Sequence, residues 1–385
     1  MDLKLSEEQA QLRDSARKFM QERCPGAFVR EMEKSELGYS PAMWRQMAEM
    51  GWLGISLPEE FGGLALGALD LVILARELGR NLCPSPFLST VVLCGEAIAR
   101  AGSEAQRSEW LPRIASGELV AAFAYQERAR RFDPDVIELS ARQEGDAFVL
   151  DGTKMFVEYA GAAELILVVA RTAQAATPGA GLTMFLVDAA SEGLHCKHTP
   201  TVARDHHYEV DFQGVRVPRE RVLGAVGGAW PVLEGVIEKA AVVFSGYTGG
   251  AAEKLHENAT QYARDRVQFG RPIGQMQLIQ SYLATLVIEL YGAETLTLFT
   301  AFHMDRGRKV RGYVAKTKAF AADTVNRTTN IGAQIFGGLG YMEEQDTTLY
   351  LRRGKQYQQM LGGLEYWEDI VAEELLGEEH PTILT

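Results

Sequence analysis

LILVVARTAQAATPGAGLTMFLVD, residues 165–188, decides how the chain is divided. Two apolar runs, LILVVART (165–172) and LTMFLVD (182–188), flank AQAATPGAG (173–181). Short apolar runs bounded by turn residues read as β-strands joined by a mobile surface loop. AAELILVV taken alone also fits a buried helical segment, because so short a run carries no diagnostic period. Its neighbours FVLDG (148–152) and YEVDFQGVRVP (208–218) are likewise rich in Val and Phe and punctuated by Gly, Asp and Pro. Strands at this spacing predict a small barrel or sandwich over residues 119–228.

Both flanks read as helical. Ser6 with Gln9 three residues on is a capping-box pattern, and Leu5, Leu12, Ala16 and Phe19 follow at helical spacing. A second helix opens at Pro41, with Trp44, Met47 and Trp52 as apolar marks. EEFGGLALG (59–67) is a glycine-rich loop, and residues 68–78 and 91–101 are further helices. Beyond 229, Ala-rich amphipathic segments cover 230–264, 276–305, 310–334 and 365–377, separated by FGRPIG, FGGLG and LGG. Four long helices imply a bundle, and apolar residues on several of its faces point to an oligomer. No internal repeat is visible. The expected fold is α+β and multi-domain: an all-α domain over 1–118, a β-barrel or sandwich domain over 119–228, and a four-helix bundle domain over 229–385.

Composition narrows the function. A chain of 385 residues exceeds one compact core. Hydrophobic residues at 46% and charged residues at 23% describe a globular protein. A formal charge of −12 speaks against a nucleic-acid partner, yet local Arg and Lys could hold a small phosphorylated ligand. No unbroken apolar run approaches bilayer-spanning length. MDLKLSEEQ lacks the pattern of a secretory signal, and the end at Thr385 carries no lipidation or peroxisomal signal. Cys24, Cys83, Cys94 and Cys196 are scattered, with no CxxC pair, and read as free thiols in a reducing compartment. The expectation is a soluble cytoplasmic protein with no membrane, nucleic-acid or metal partner.

Six stretches then carry a family likeness in order: LSEEQAQLRDSARKFM, MGWLGISLPEEFGGLALG, GDAFVLDGTKMF, YEVDFQGVRVPRERVLG, RVQFGRPIGQMQ and QIFGGLGYMEE. Together they resemble the acyl-CoA dehydrogenases over essentially the full length. The resemblance implies FAD, an acyl-CoA thioester, a tetramer built as a dimer of dimers, and an electron-transfer flavoprotein as acceptor. In that family a desolvated carboxylate removes the α-proton, hydrogen bonds to the thioester oxygen stabilise the enolate, and the flavin accepts the β-hydride.

Carried over residue by residue, the motifs divide. The segment like RVQFG reaches a neighbouring subunit's FAD in the family, with its Arg on the pyrophosphate and its Phe on the adenine side. Arg266 and Phe269 are kept, and Gln268 replaces a frequent small hydroxyl residue. The segment like QIFGG also serves the neighbour's FAD, and Gln334, Gly337 and Gly338 are kept. Glycines allow close approach of backbone to a dinucleotide. The bland alternatives are a surface Arg and a glycine helix stop.

The catalytic half is altered. The family glutamate of the YEGT-like motif falls on Leu361 in MLGG, and the following Thr on Gly363. The alternative glutamate position falls on Ala240, and the CoA-holding Arg beside it on Ala241. The LTEPGAGSD loop reads AYQERARRFDPD, with Gln126 for Thr and Arg128 for Pro. The flavin-lining WIT or WIS motif reads Phe156, Val157, Glu158. What is lost serves a subunit's own flavin and substrate; what is kept serves its neighbour. The resemblance therefore implies the non-catalytic-type subunit of a heteromeric dehydrogenase, paired with a sister chain that carries the glutamate. Such pairs act on bulky acyl groups such as steroid side chains or ring acids, an association by analogy.

Two other readings compete. One is a homo-oligomeric flavoenzyme with another base or another reaction on a CoA thioester, for which Glu365, Glu238, Glu234 and Glu158 are the carboxylates to test. The other is a non-enzymatic CoA-thioester or partner-binding protein on the same scaffold, against which the kept FAD segments count. Of the remaining features, adjacent strand residues His206 and His207 point to opposite faces and make a poor metal chelate beside Asp205. Arg128, Arg130 and Arg131 read as a solvated loop or a phosphate-binding run. Tyr350, Arg352 and Arg353 read as helix-packing residues, and Ser245 in FSGYTGG lacks the context of a nucleophile.

Overall fold

The computed structural model of the chain describes residues 4–129, 131–174, 177 and 179–377. Helices come first: α1 (Glu7–Arg23), α2 (Gly26–Met32), α3 (Pro41–Glu49), α4 (Ala68–Arg80), α5 (Glu96–Ala101) and α6 (Glu104–Ala115). Strands follow: β1 (Ala121–Ala124), β2 (Ser140–Glu144), β3 (Ala147–Glu158), β4 (Leu165–Arg171), β5 (Leu182–Asp188), β6 (Leu194–Thr199), β7 (His207–Pro218) and β8 (Val222–Leu223). The last part holds α7 (Trp230–Asp265), a hairpin of β9 (Val267–Gln268) and β10 (Arg271–Pro272), then α8 (Gln277–Met304), α9 (Arg311–Phe336), α10 (Asp346–Tyr357) and α11 (Leu364–Leu376). The order is helical, β, helical. Contacts gather the chain into two compact units that do not follow chain order. A helical unit draws on Met1–Val29, Gly67–Cys83 and Ala241–Thr385; a β unit draws on Arg30–Leu66 and Pro84–Ala240.

In the β unit the strands form one mixed sheet in the order β6-β7-β3-β2-β4-β5-β8. β1 lies parallel to β4, pairing Ala121 with Leu165 through Ala124 with Val168. The run at 165–171 is thus a strand, and it is buried from Leu165 to Ala170 because both of its faces are covered. Alternate residues build the core: Ile166 and Val168, Phe185 and Val187, Phe148 and Leu150, Val210 and Phe212. Two features of the helical residues here depart from the sequence reading. Trp52 does not continue α3, because Gly51 turns left-handed at φ 75° and a short 3₁₀ turn, Trp52–Gly54, follows. Residues 91–101 are not one α-helix: Leu88–Gly95 is π-helical and α5 continues from it. The sequence reading also passed over β1, β2, β6, α2 and α6. The last opens with a Ser103–Gln106 capping box of the same kind as Ser6–Gln9, and both boxes form.

In the helical unit, α8 is long and apolar enough by length and composition to cross a membrane. It is still not an unbroken apolar run, which is what the sequence reading concerns. Two glutamates are its only acidic or basic residues besides His303, while Thr, Tyr, Ser and Gly interrupt its apolar run without making it charged. It buries Leu290, Ala293, Thr297 and Ala301, and leaves Leu278, Ile288 and Tyr291 exposed. α10 is a further helix beside the four expected long ones.

α4 and α7 approach backbone to backbone. A Cβ on Gly250 would stand 2.0 Å from the Arg76 carbonyl oxygen, and one on Gly79 would stand 1.9 Å from that of Tyr247. Gly249, one residue along α7, would carry a Cβ into open space, beside a cavity of about 180 Å³ lined by Val72, Leu290 and Tyr291. Gly249→Ala is expected to stabilise the fold by roughly 0.5–1 kcal/mol, through the lower entropy of the unfolded chain. Gly250→Ala is expected to cost about 2 kcal/mol through overpacking. Thermal or denaturant unfolding of both variants checks the pair, and equal midpoints would contradict the packing described.

Candidate functional site

The kept residues stand on two tips of the helical unit. β9 and β10 pair antiparallel, Gln268 opposite Arg271, so Phe269 and Gly270 form a two-residue turn. Their φ values, 53° and 75°, are both positive, as a type I′ hairpin turn requires. A bulky residue there is strained, and Phe269 is also 92% exposed. Arg266 and Gln268 are exposed on either side of Val267. At the other tip α9 ends in Gln334, Ile335 and Phe336, and Gly337 turns left-handed at φ 62°. A Cβ on Gly337 or Gly338 would meet nothing within 4 Å. Packing therefore does not demand a glycine at 338, and the backbone lies open to a ligand.

Both tips grow from one root. Ala259 and Ala263 of α7, Ile273 after the hairpin and Ile335 of α9 form a buried cluster, with Tyr262 and Phe336 packed against it. The Tyr262 and Phe336 rings stack at 4.4 Å. The Arg266 carbonyl accepts from Ile273 N at 2.8 Å and closes the hairpin base. The structure thus brings Arg266, Gln268 and Phe269 onto the same support as Gln334, Gly337 and Gly338.

The altered residues have rigid settings of their own. Leu361 takes φ 57°, and its carbonyl accepts from Trp367 Nε1 at 2.9 Å. Gly362 takes φ 90°, where a Cβ would press on the Tyr366 ring at 2.7 Å. The loop is thus well defined, but it presents an alkyl side chain that can move no proton. Ala240 and Ala241 are fully buried on α7. Glu234 and Glu238 on the same helix are half-buried, and Glu365 is exposed in the first turn of α11. Glu365 thus keeps a water-facing setting, unlike a desolvated base.

The β unit gathers charge at the end of β3. Glu158 stands opposite His207 of β7. His207 Nδ1 lies 3.0 Å from the Phe156 carbonyl, and Nε2 lies 3.3 Å from Asp205, which also accepts from Thr201 Oγ1 at 2.9 Å. Burial alone would push the imidazole down, but Asp205 and Glu158 raise it to about 9. Both ring nitrogens then carry protons, one for each acceptor. Burial pushes Glu158 up to about 7, against the pull of His207. Phe156, with φ 54°, is held by this carbonyl contact and stays exposed. The two histidines share no metal geometry. Among the described residues no group of three or more His, Cys, Asp or Glu side chains is placed to hold a metal ion.

The sequence reading missed Lys154 and Glu127. Lys154 is fully buried and donates to Glu127 at 2.7 Å and to the Tyr125 carbonyl at 2.9 Å. Glu127 also accepts from the backbone N–H groups of Glu138 and Leu139. Burial pulls the ammonium down to about 8, while Glu127 holds it up. This pair pins the altered loop at 124–135 to β3. Its signal was a lysine inside the apolar run of GDAFVLDGTKMF. In the same loop Arg128 pairs with Glu209 and Arg131 with Asp133, both at the surface, while Arg130 lies outside the described residues. In the helical unit Lys318 is also buried, its amine 5.8 Å from the Phe244 ring, and burial pulls it down to about 7.

The family models for acyl-CoA dehydrogenase match in succession: the N-terminal domain at residues 6–118, the middle domain at 122–215 and the C-terminal domain at 228–376. "Acryloyl-CoA reductase (NADH)" of Anaerotignum propionicum is 28% identical over 383 residues, covering 98% of this chain and 96% of that protein. The glutaryl-coenzyme A dehydrogenase in its glutaryl-CoA complex is similar in structure, with a TM-score of 0.92 at 26% identity, over 99% of this chain and 98% of that one. A chain of the ChsE4-ChsE5 complex of Mycobacterium tuberculosis is similar with a TM-score of 0.90 at 25% identity, over 98% of this chain and 100% of that one.

The histidine–aspartate pair makes stability depend on pH. A histidine whose folded pKa is raised contributes stability below its ordinary value, and that contribution fades as the pH climbs through about 9. Asp205→Asn is expected to cost roughly 2–3 kcal/mol at mildly acidic pH, with the deficit shrinking on the alkaline side. Unfolding midpoints of both proteins across that range check this; a deficit independent of pH would contradict the charged state of His207.

Proposed function

Because the chain belongs to the acyl-CoA dehydrogenase family, whose members carry out FAD-dependent dehydrogenation of acyl-CoA, we propose that it is the non-catalytic-type subunit of a heteromeric dehydrogenase. The observation that carries this reading is the contrast between tips and interior. Arg266, Gln268, Phe269, Gln334, Gly337 and Gly338 stand exposed on one rigid support, whereas the proton-abstracting position is Leu361 and its alternative is Ala240. An aromatic ring that is almost wholly solvent-exposed and conformationally strained suits a surface completed by another molecule.

The residues at the tips fit FAD. Arg266 would pair with the pyrophosphate, the Phe269 ring would pack on the adenine side, and the open backbone at Gly337 and Gly338 would allow close approach. When bound, FAD supplies the hydride acceptor. This chain contributes binding and orientation from the neighbour's side; the sister chain contributes the glutamate that takes the α-proton. Electrons would leave through an electron-transfer flavoprotein, in the cytoplasm, from a tetramer with two chains of each kind. The similar chain in the ChsE4-ChsE5 complex, named for two components, supports pairing of unlike chains.

One observation favours a second reading, a homo-oligomeric flavoenzyme. Glu158, at a position that lines the flavin in the family, titrates near neutrality, where a general base works best. Flavin stoichiometry separates the two. The complex purified from its native source is expected to contain a second, glutamate-bearing chain and one FAD for two chains. One FAD per chain in a homo-oligomer would overturn the proposal.

Arg266→Ala is expected to weaken FAD retention by the complex about tenfold, through loss of a charge-assisted contact. Unchanged flavin occupancy would contradict its role. Leu361→Glu in the isolated chain is expected to create no acyl-CoA oxidation, since Ala241 and Gly363 leave thioester and flavin contacts missing. Turnover by that variant, followed with an artificial electron acceptor, would show that the base alone had been absent.

A further inference from the structure

A pocket of about 560 Å³ opens in the β unit, between α6, the 3₁₀ turn Ala160–Ala162, the end of β5 and the start of β8. Trp110 of α6 lines it, and two guanidiniums rest on the indole. Arg113 Cζ lies 5.5 Å from the ring centroid and Arg221 Cζ lies 4.8 Å from it. Arg113 is taken, by Glu118 and by Glu164, each at 3.0 Å. Arg221 is held only loosely, 3.5 Å from Glu109. Its place is nevertheless fixed through the backbone on either side of it. Gln106, one helical turn before Trp110, donates to the Glu220 and Val222 carbonyls, both at 2.9 Å. The guanidinium is thus set against the indole with donors left to fill.

The opposite charge comes from β5. Asp188 ends that strand, paired in the ladder with Leu165, and Ala189 N donates to the Glu164 carbonyl at 3.0 Å. Asp188 Oδ1 accepts from Ala190 N at 2.8 Å, and among the described residues no cation pairs with the carboxylate. Phe185 of β5 stands opposite Val222 of β8, so Arg221 and Asp188 lie at the same end of this ladder. They face one pocket without pairing with each other. Ala160, Ala163, Leu165 and Leu194 give the same pocket an alkyl wall.

We infer that this pocket binds a small zwitterion of the α-amino-acid kind. The ligand's carboxylate sits on the Arg221 guanidinium, its ammonium on Asp188, and an alkyl side chain against the alanine and leucine wall. The inference stands apart from the FAD reading and uses none of its residues. Charge selects the class. A simple anion meets Asp188 and Glu164 as like charges, and a simple amine meets Arg221; each also takes water from one protein charge without giving it a partner. A ligand with both signs satisfies both.

The test titrates the full chain by calorimetry at low ionic strength with L-leucine and with isocaproate and isoamylamine, which keep the carbon skeleton but lack one charge each. Leucine is expected to bind saturably, one per chain, and about tenfold or more tighter than either analogue. Asp188→Asn is expected to weaken leucine about tenfold and to leave isocaproate no weaker; Arg221→Gln is expected to weaken leucine about tenfold and to leave isoamylamine no weaker. This crossed pattern separates a charge contact from general damage to the pocket. Leucine is also expected to slow amide exchange at residues 160–163 and 189–190. Absence of saturable leucine binding, an analogue that binds as tightly as leucine, either variant binding leucine as the unaltered chain does, or protection confined to other residues would overturn the inference. The comparison of the three compounds on the unaltered chain decides the ligand class even if a variant fails to fold.

Discussion

The helical unit is assembled from three separated stretches of chain, so something must tie them together. That tie is Arg80. Its guanidinium, buried at the end of α4, reaches Glu253 at 2.6 Å and Glu257 at 2.7 Å on α7, and lies near Glu77 of its own helix. Glu77, almost wholly buried, takes Arg17 of α1 at 2.8 Å. Arg76 extends the network to Glu253 and, through Glu294, to α8. Buried ion pairs are poor sources of net stability, because desolvation offsets the attraction. They are severe about alternatives, since a shifted helix would leave a charge unpaired. The network therefore specifies how α1, α4, α7 and α8 meet more than it strengthens them. The glycines at 79 and 250 make room for that register.

A frame fixed in this way can support strained, uncovered residues at its margin. Phe269 holds a left-handed conformation with its ring in solvent because the hairpin below it is rooted among Ala259, Ala263, Ile273 and Ile335. The altered interior positions obey a different constraint. Ala240 and Ala241 have no accessible surface. A carboxylate or guanidinium there would be a buried charge, stable only with a partner. Residues at the exposed tips face no such constraint, because a charged or polar side chain there stays in water.

Much of this was legible in the sequence, for identifiable reasons. The strands at 148–152, 165–172, 182–188 and 208–218 showed because β-rich runs ended at Gly, Asp or Pro. The hairpin at 267–272 did not show: FGRPIG read as a loop between helices, since a phenylalanine at positive φ is a poor turn residue by propensity. β6 was missed because LHCKHT is mostly exposed and carries no apolar alternation. β1 was missed because AAFA is short and alanine-rich. The π-helical turn left no signal, since its residues are as apolar as those of any buried α-helix. Lys154 and Glu127 were missed because an ion pair between a strand and a distant loop is a tertiary fact. A lysine in a buried strand marks that a partner must exist without saying which.

The end of β3 carries the position that the resemblance places beside a flavin, and there sequence and structure together say most. Glu158 stands where the resemblance expects a hydroxyl, and the sequence alone suggested a charge that would repel a reduced flavin. The structure refines that argument. With burial pushing it to about 7, the carboxyl is partly protonated near neutral pH, and a protonated carboxyl can donate a hydrogen bond as a hydroxyl does. The positive charge of His207 beside it works the other way, favouring the ionised carboxylate for as long as the imidazole keeps its second proton. His207 keeps it through Asp205, which is in turn held by Thr201. The edge is therefore not simply spoiled. It has exchanged a fixed neutral donor for a titrating one, and a site that needs a constant partner for its ring is poorly served by a group that changes charge within the working pH range. The same titration that suits a general base thus unsuits Glu158 as a constant hydrogen-bond donor, so one carboxyl at the end of β3 could fill either part but not both.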